Sequence, residues 1–119
     1  MITERIPLWE GRDDVALYTM LRHCTPNPMI PVEAEPLPAV IVCPGGGYEH
    51  LSEREAEPIA LRFLHMGFNC YVVWYHLAPA RYPLPQQDVA AAVAWARQHA
   101  GETHTAPDRI AVMGFSAGG

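Results

Sequence analysis

Three short apolar runs, Ala39–Cys43, Phe68–Tyr75 and Ile110–Phe115, are separated by two segments of helical periodicity. Short continuous apolar runs suit strands buried on both faces. Such strands alternating with helices predict parallel pairing through right-handed crossovers, with helices covering both faces of the sheet. The first helix is expected from the S-x-x-E capping pattern Ser52–Glu55, with Pro58 drawing its start towards Glu57. It runs through Ala60, Phe63 and Leu64 and stops at Gly67. The second opens at Pro83-Leu84-Pro85, carries the stripe Val89, Ala92, Val93, Ala96 and stops near Gly101. Its alanines would let it lie close on a sheet. The expected fold class is α/β, a mostly parallel sheet with flanking helices.

Ahead of these elements, Ile6–Glu10 and Val15–Leu21 read as two strands around the polar turn Gly11–Asp14, with a helical turn over Ala16–Leu21 as the alternative. Five prolines between positions 25 and 38 make that stretch a connector, because proline lacks a donor and extends its predecessor. The organisation is therefore one α/β unit: N-terminal strands and connector over 1–38, and the main alternating pattern over 39–119. A chain of 119 residues suffices for one domain and not for two.

Charge and composition narrow the function. The net charge is -5 and the eight basic residues, all arginine, are scattered, which gives no footprint for nucleic acid. No apolar run approaches the roughly 20 residues of a membrane span. Asp13, Asp14 and Arg22 interrupt any signal-like stretch near the N-terminus, so the cytoplasm is the expected location. Cys24, Cys43 and Cys70 are odd in number and far apart, which points to reduced, buried thiols.

The strongest chemical signal is Gly114-Phe115-Ser116-Ala117-Gly118, a G-x-S-x-G pentapeptide directly after a strand. A serine on a tight strand-to-helix turn has its hydroxyl thrust out where a substrate carbonyl can reach it, and Gly114 and Gly118 make room for the turn. The second signal is Pro44-Gly45-Gly46-Gly47-Tyr48 after the first buried strand. Consecutive glycines let N–H groups converge on one point, which suits the oxygen of a tetrahedral intermediate or a phosphate. A dinucleotide fingerprint would need glycine where His50 stands, so nucleotide binding is the weaker reading. No histidine pair has metalloprotease spacing, and no metal or cofactor is expected. His50 reads as a solvated loop residue, and His99 and His104 as surface residues.

In this combination the chain resembles the α/β-hydrolase fold, in particular the esterases of the hormone-sensitive-lipase type and the acetyl-xylan and feruloyl esterase-like group. Their glycine-rich oxyanion motif looks like Pro44–Tyr48, and their Y-R-L-A-P stretch is similar to Tyr75-His76-Leu77-Ala78-Pro79. Pro83, Pro85 and Asp88 match the motif that follows, and Asp108-Arg109-Ile110 through Gly119 is similar to the family's D-x-x-R-I-x-x-x-G-x-S-A-G-G, although Asp and Arg are adjacent here. The resemblance covers roughly residues 35 to 119. It implies Ser116 as nucleophile, the N–H groups of Gly46, Gly47 and Ala117 as oxyanion donors, and a small-molecule ester as substrate, possibly an acetylated sugar, with no membrane or nucleic-acid partner. The sequence leaves the oligomeric state open.

The chain departs from the family at two positions. Pro44 replaces the histidine usual before the glycines, so the loop is to be held differently. His76 replaces an arginine and lacks its five-donor fork, so the resemblance does not carry over a buried charge pair with Asp88.

The family's triad order is serine, acid, histidine. The resemblance thus makes the chain the N-terminal part of such a hydrolase, ending at the nucleophile elbow without the acid and the histidine. On that reading residues 1–119 alone are inactive. The helix after Ser116 has no length for a hydrogen-bonded turn, Ala117 N–H has nothing to orient it, and the last strand becomes a sheet edge. The alternative is a catalytically inactive domain that binds a partner.

Overall fold

The computed structural model describes residues 1–22 and 35–119. The strands are β1 (Ile2–Pro7), β2 (Ala16–Leu21), β3 (Leu37–Cys43), β4 (Asn69–Trp74) and β5 (Thr105–Gly114). The helices are α1 (Glu57–His65), α2 (Leu84–Gln98) and the short α3 (Ala100–Thr103). The five strands form one sheet in the order β1-β2-β4-β3-β5. β3 pairs in parallel with both β4 and β5, as the alternation of strands and helices requires. β1, β2 and β4 pair antiparallel, so the sheet is mixed.

The two-residue period of the strands sorts the core into two faces. Leu17, Leu21, Ile41, Cys43, Tyr71 and Val73 meet Ala92 and Ala96 of α2. Met20, Val40, Val42, Cys70 and Val72 meet Ala60 of α1. Helices therefore cover both faces. Full burial of a side chain such as Ile41 or Val73 contributes about 1.5–3 kcal/mol. Ala92 and Ala96 are fully buried where α2 lies on the sheet.

Several boundaries differ from the sequence expectation. The first strand is Ile2–Pro7, not Ile6–Glu10, because Leu8–Asp14 are taken up by the reversal between β1 and β2. Residues 16–21 are strand, with Thr19 Oγ1 accepting the Glu4 N–H at 2.9 Å. β3 begins at Leu37, so Pro38 belongs to the strand. Pro38 sits where the register with β5 jumps, a position that needs no N–H. Residues 23–34, with Pro26, Pro28 and Pro31 of the connector and with His23 and Cys24, lie outside the described residues.

Ser52 caps nothing with its side chain, and α1 starts at Glu57 with Pro58 in its first turn. The helix ends as expected at Gly67, whose φ of +101° reverses the chain. Gly67 N–H bonds Leu64 C=O and Phe68 N–H bonds Phe63 C=O, the Schellman pattern, with the Phe63 and Phe68 rings edge-to-face at 5.6 Å. Gly101 does not stop α2; it lies within α3, and the left-handed residue is His104.

β5 differs most. It is longer than expected, and it is largely exposed rather than buried, since it stands at the edge of the sheet. Val112 is 50% exposed. The edge position itself agrees with the sequence expectation.

Candidate active site

β3 and β5 are neighbours, with Cys43 opposite Gly114, and Phe115 N–H bonds Cys43 C=O at 3.1 Å. The loops that leave their carboxyl ends therefore touch. A Cβ placed on Gly45 would lie 3.2 Å from Ser116 Cβ and 2.8 Å from Phe115 O. Two motifs about 70 residues apart in sequence thus form one site.

The serine turn is tight. Ser116 has φ +51°, a left-handed conformation that costs a residue other than glycine about 1–2 kcal/mol. A Cβ on Gly114 would fall 2.1 Å from Gly118 O, and one on Gly118 would fall 2.1 Å from Cys43 O. Both glycines are required by backbone contact. Ser116–Gly118 form a 3₁₀ turn, with Gly118 N–H bonded to Phe115 C=O at 2.8 Å and Gly119 N–H to Ser116 C=O at 2.9 Å. This corrects the expectation that no hydrogen-bonded turn could form here. An α-helical bond needs five residues, whereas a 3₁₀ bond needs four, and these are present. Ser116 is exposed and Ala117 is half-buried.

The glycine loop is held at four points. Tyr75 OH donates to Pro44 C=O, Glu55 accepts the Gly45 N–H at 2.8 Å, Ser52 N–H bonds Gly45 C=O at 2.8 Å, and Ala78 N–H bonds Tyr48 C=O at 2.7 Å. These bonds anchor a loop that begins with Pro44 instead of histidine. Gly46 has φ +142° and Gly47 φ +66°. Glu49 and His50 N–H both turn back to Gly46 C=O. Among the described residues, no backbone acceptor takes the N–H of Gly46, Gly47 or Ala117. Burial pushes the Tyr75 hydroxyl up to about 12, with the neighbouring Cys43, Tyr48 and Glu55 adding to it, so it stays a proton donor to the loop.

Asp88 and His76 depart from the expectation in an instructive way. Asp88 is fully buried and His76 is 6% exposed. Asp88 Oδ2 meets His76 Nδ1 at 2.7 Å and accepts the His76 backbone N–H at 2.7 Å, while Trp9 Nε1 donates to Oδ1 at 2.6 Å. The buried pair forms without arginine because the backbone and a tryptophan supply the missing donors. Trp9 carried no sequence signal for this role.

Among the described residues four other histidines are present. His50 and His65 are exposed. His99 and His104 are half-buried rather than on the surface, and His99 stacks on Trp95 with ring centroids 4.0 Å apart. A cavity of about 350 Å³ lined by Tyr48, Tyr75, Val89, Val112, Ala117 and Gly118 lies against the serine turn. A larger one of about 900 Å³, lined by residues including Arg12, Tyr18, His50, Trp74 and Leu77, does not include Ser116. Among the described residues, no group of three or more His, Cys, Asp or Glu is placed to hold a metal ion, and no helix is long and apolar enough to cross a membrane.

Known proteins are similar to this chain in sequence and fold. The BD-FAE family profile matches residues 29–119. Carboxylesterase NlhH of Mycobacterium tuberculosis is 39% identical over 92 residues, which are 75% of this chain and 28% of that protein. The carboxylesterase Cest-2923 of Lactobacillus plantarum superposes with a TM-score of 0.87 at 30% identity, over 99% of this chain and 43% of that one. The acetyl ester-xyloside bifunctional hydrolase of Caldicellulosiruptor lactoaceticus superposes at 0.83 with 31% identity, over 97% and 43%. The chain thus spans less than a third of that curated relative and less than half of those solved structures. Sequence match and superposition agree with the motif geometry: the chain belongs to the BD-FAE family of α/β-hydrolase esterases.

Proposed function

We propose that the protein carrying this chain hydrolyses carboxylic esters of small molecules, with Ser116 as nucleophile. The observation that carries this reading is the close approach of the strained serine turn to the glycine loop, where a Cβ added to Gly45 would lie 3.2 Å from Ser116 Cβ. The Ser116 oxygen attacks the ester carbonyl carbon, and the carbonyl π electrons move onto its oxygen. The N–H groups of Gly46, Gly47 and Ala117 receive that oxyanion. A general base takes the Ser116 proton during attack and passes it to the leaving alkoxide as the C–O bond breaks, which leaves an acyl-enzyme; the same base then takes a proton from the attacking water and returns it to Ser116 as the acid departs. The general base and its carboxylate partner come from outside residues 1–119, in keeping with the greater length of the relatives. Residues 1–119 alone turn over ester negligibly. Small acyl esters, acetylated sugars among them, are the proposed substrates, supported by the names of the related carboxylesterases and of the acetyl ester-xyloside hydrolase.

The test is covalent labelling of the full-length protein with a fluorophosphonate probe. Wild type is labelled at Ser116 and hydrolyses a short-chain ester; Ser116→Ala does neither. Labelling that survives the substitution overturns the assignment.

A further inference from the structure

We infer that Glu55 is a positioning residue for the serine–glycine site, holding the Gly45 N–H while the turn it ends holds the Gly45 C=O through Ser52, so that the Gly46 N–H keeps its direction; this rests on the ester-hydrolase reading above. Glu55 ends the 3₁₀ turn Glu53–Glu55 and is half-buried. Its side chain accepts the Gly45 N–H at 2.8 Å. Ser52 N–H bonds the Gly45 C=O at 2.8 Å, and Glu55 N–H bonds the Ser52 C=O at 3.0 Å. One small turn therefore grips Gly45 on both its donor and its acceptor.

The peptide plane then does the rest. In a trans peptide the N–H of the next residue points opposite to the preceding C=O. With Gly45 C=O turned to Ser52, the Gly46 N–H points away from Ser52. No side chain fits at this position, since an added Cβ would meet Glu55 Oε2 and Phe115 O at 2.8 Å and Ser116 Cβ at 3.2 Å. A glycine triplet has the widest backbone freedom of any sequence, and an oxyanion donor must be aimed before charge develops. Glu55 removes that freedom at the first glycine. The hydrogen bond to a carboxylate is of the stronger, charge-assisted kind.

The test compares Glu55→Ala, Glu55→Gln and the exposed control Glu53→Ala in the full-length protein, on a short-chain nitrophenyl ester. Glu55→Ala is expected to lower kcat by about 10–100-fold with KM within about threefold of wild type. Glu55→Gln keeps an acceptor oxygen and recovers kcat to within about fivefold, and Glu53→Ala behaves as wild type. Wild-type-like kcat in Glu55→Ala, an effect on KM alone, or no recovery in Glu55→Gln overturns the inference. Amide hydrogen exchange supplies a readout independent of turnover. The Gly45–Gly47 amides exchange about tenfold faster or more in Glu55→Ala but not in Glu55→Gln, and equal exchange overturns the inference. Should Glu55→Ala not fold, Glu55→Asp, one methylene short, must show the kcat loss. A wild type that hydrolyses no ester and takes no probe defeats the ester-hydrolase reading, and exchange then decides the role of Glu55.

Discussion

Adding one methyl group to adjacent glycines of the loop should have unequal consequences. At Gly46 the new Cβ would lie 2.0 Å from His50 O and 2.7 Å from His50 C, with φ at +142°. Ordinary contact begins near 3.4 Å, so backbone must move by more than an ångström. It has little freedom to do so. Gly45 is bonded to Ser52 and Glu55, Tyr48 to Ala78, and the His50 and Glu49 N–H groups to Gly46 itself. Overpacking and left-handed strain together cost about 3–4 kcal/mol. At Gly47 the φ is +66° and nothing lies within 4 Å of the new Cβ. Strain of about 1–2 kcal/mol is there offset by about 0.4–1 kcal/mol of lost freedom in the unfolded chain. Urea unfolding of the full-length protein should place Gly46→Ala at least about 2 kcal/mol below Gly47→Ala, at unchanged denaturant slope. Equal losses, or a Gly46→Ala loss under about 1 kcal/mol, would refute the steric reasoning.

Two further outcomes follow from buried polar groups. Asp88→Ala leaves the His76 N–H, its ring and the Trp9 indole without their acceptor, and should cost about 3 kcal/mol or more in urea unfolding, against about 1 kcal/mol for Trp9→Phe; a neutral Asp88→Ala would remove the network from the account of stability. Burial pushes the Cys43 thiol up to about 11 and the Cys70 thiol to about 12, alongside Tyr75 at about 12. The folded state thus holds protons that the unfolded chain has released. This contribution is complete below about pH 9 and is lost as pH rises towards 11–12, approaching about 1.4 kcal/mol per pH unit for each group. These residues contain no lysine to obscure the effect, and a urea midpoint that stays flat from pH 8 to 11 would contradict it.

Sequence alone determined the layering and marked the two turn motifs that the structure brings into contact. Short continuous apolar runs mark strands buried on both faces, and an alanine stripe marks the helix face that lies on them, because those patterns reflect local geometry. The G-x-S-x-G pentapeptide and the glycine triplet were equally legible, since tight turns exclude side chains wherever they occur. Tertiary structure decided what these residues meet. Glu55 read as a helix cap because S-x-x-E is a local pattern, yet its partner is Gly45, reached only once the loop folds back. Trp9 and Asp88 lie 79 positions apart, and only the β1–β2 reversal brings the indole to the buried carboxylate. Within residues 1–119 the apolar stretch Ile110–Gly114 is largely exposed, because β5 stands at the edge of the sheet. The serine turn and the glycine loop meet for the same reason: β3 and β5 pair, and a pairing between distant segments is set by the packing of the whole sheet, not by either segment.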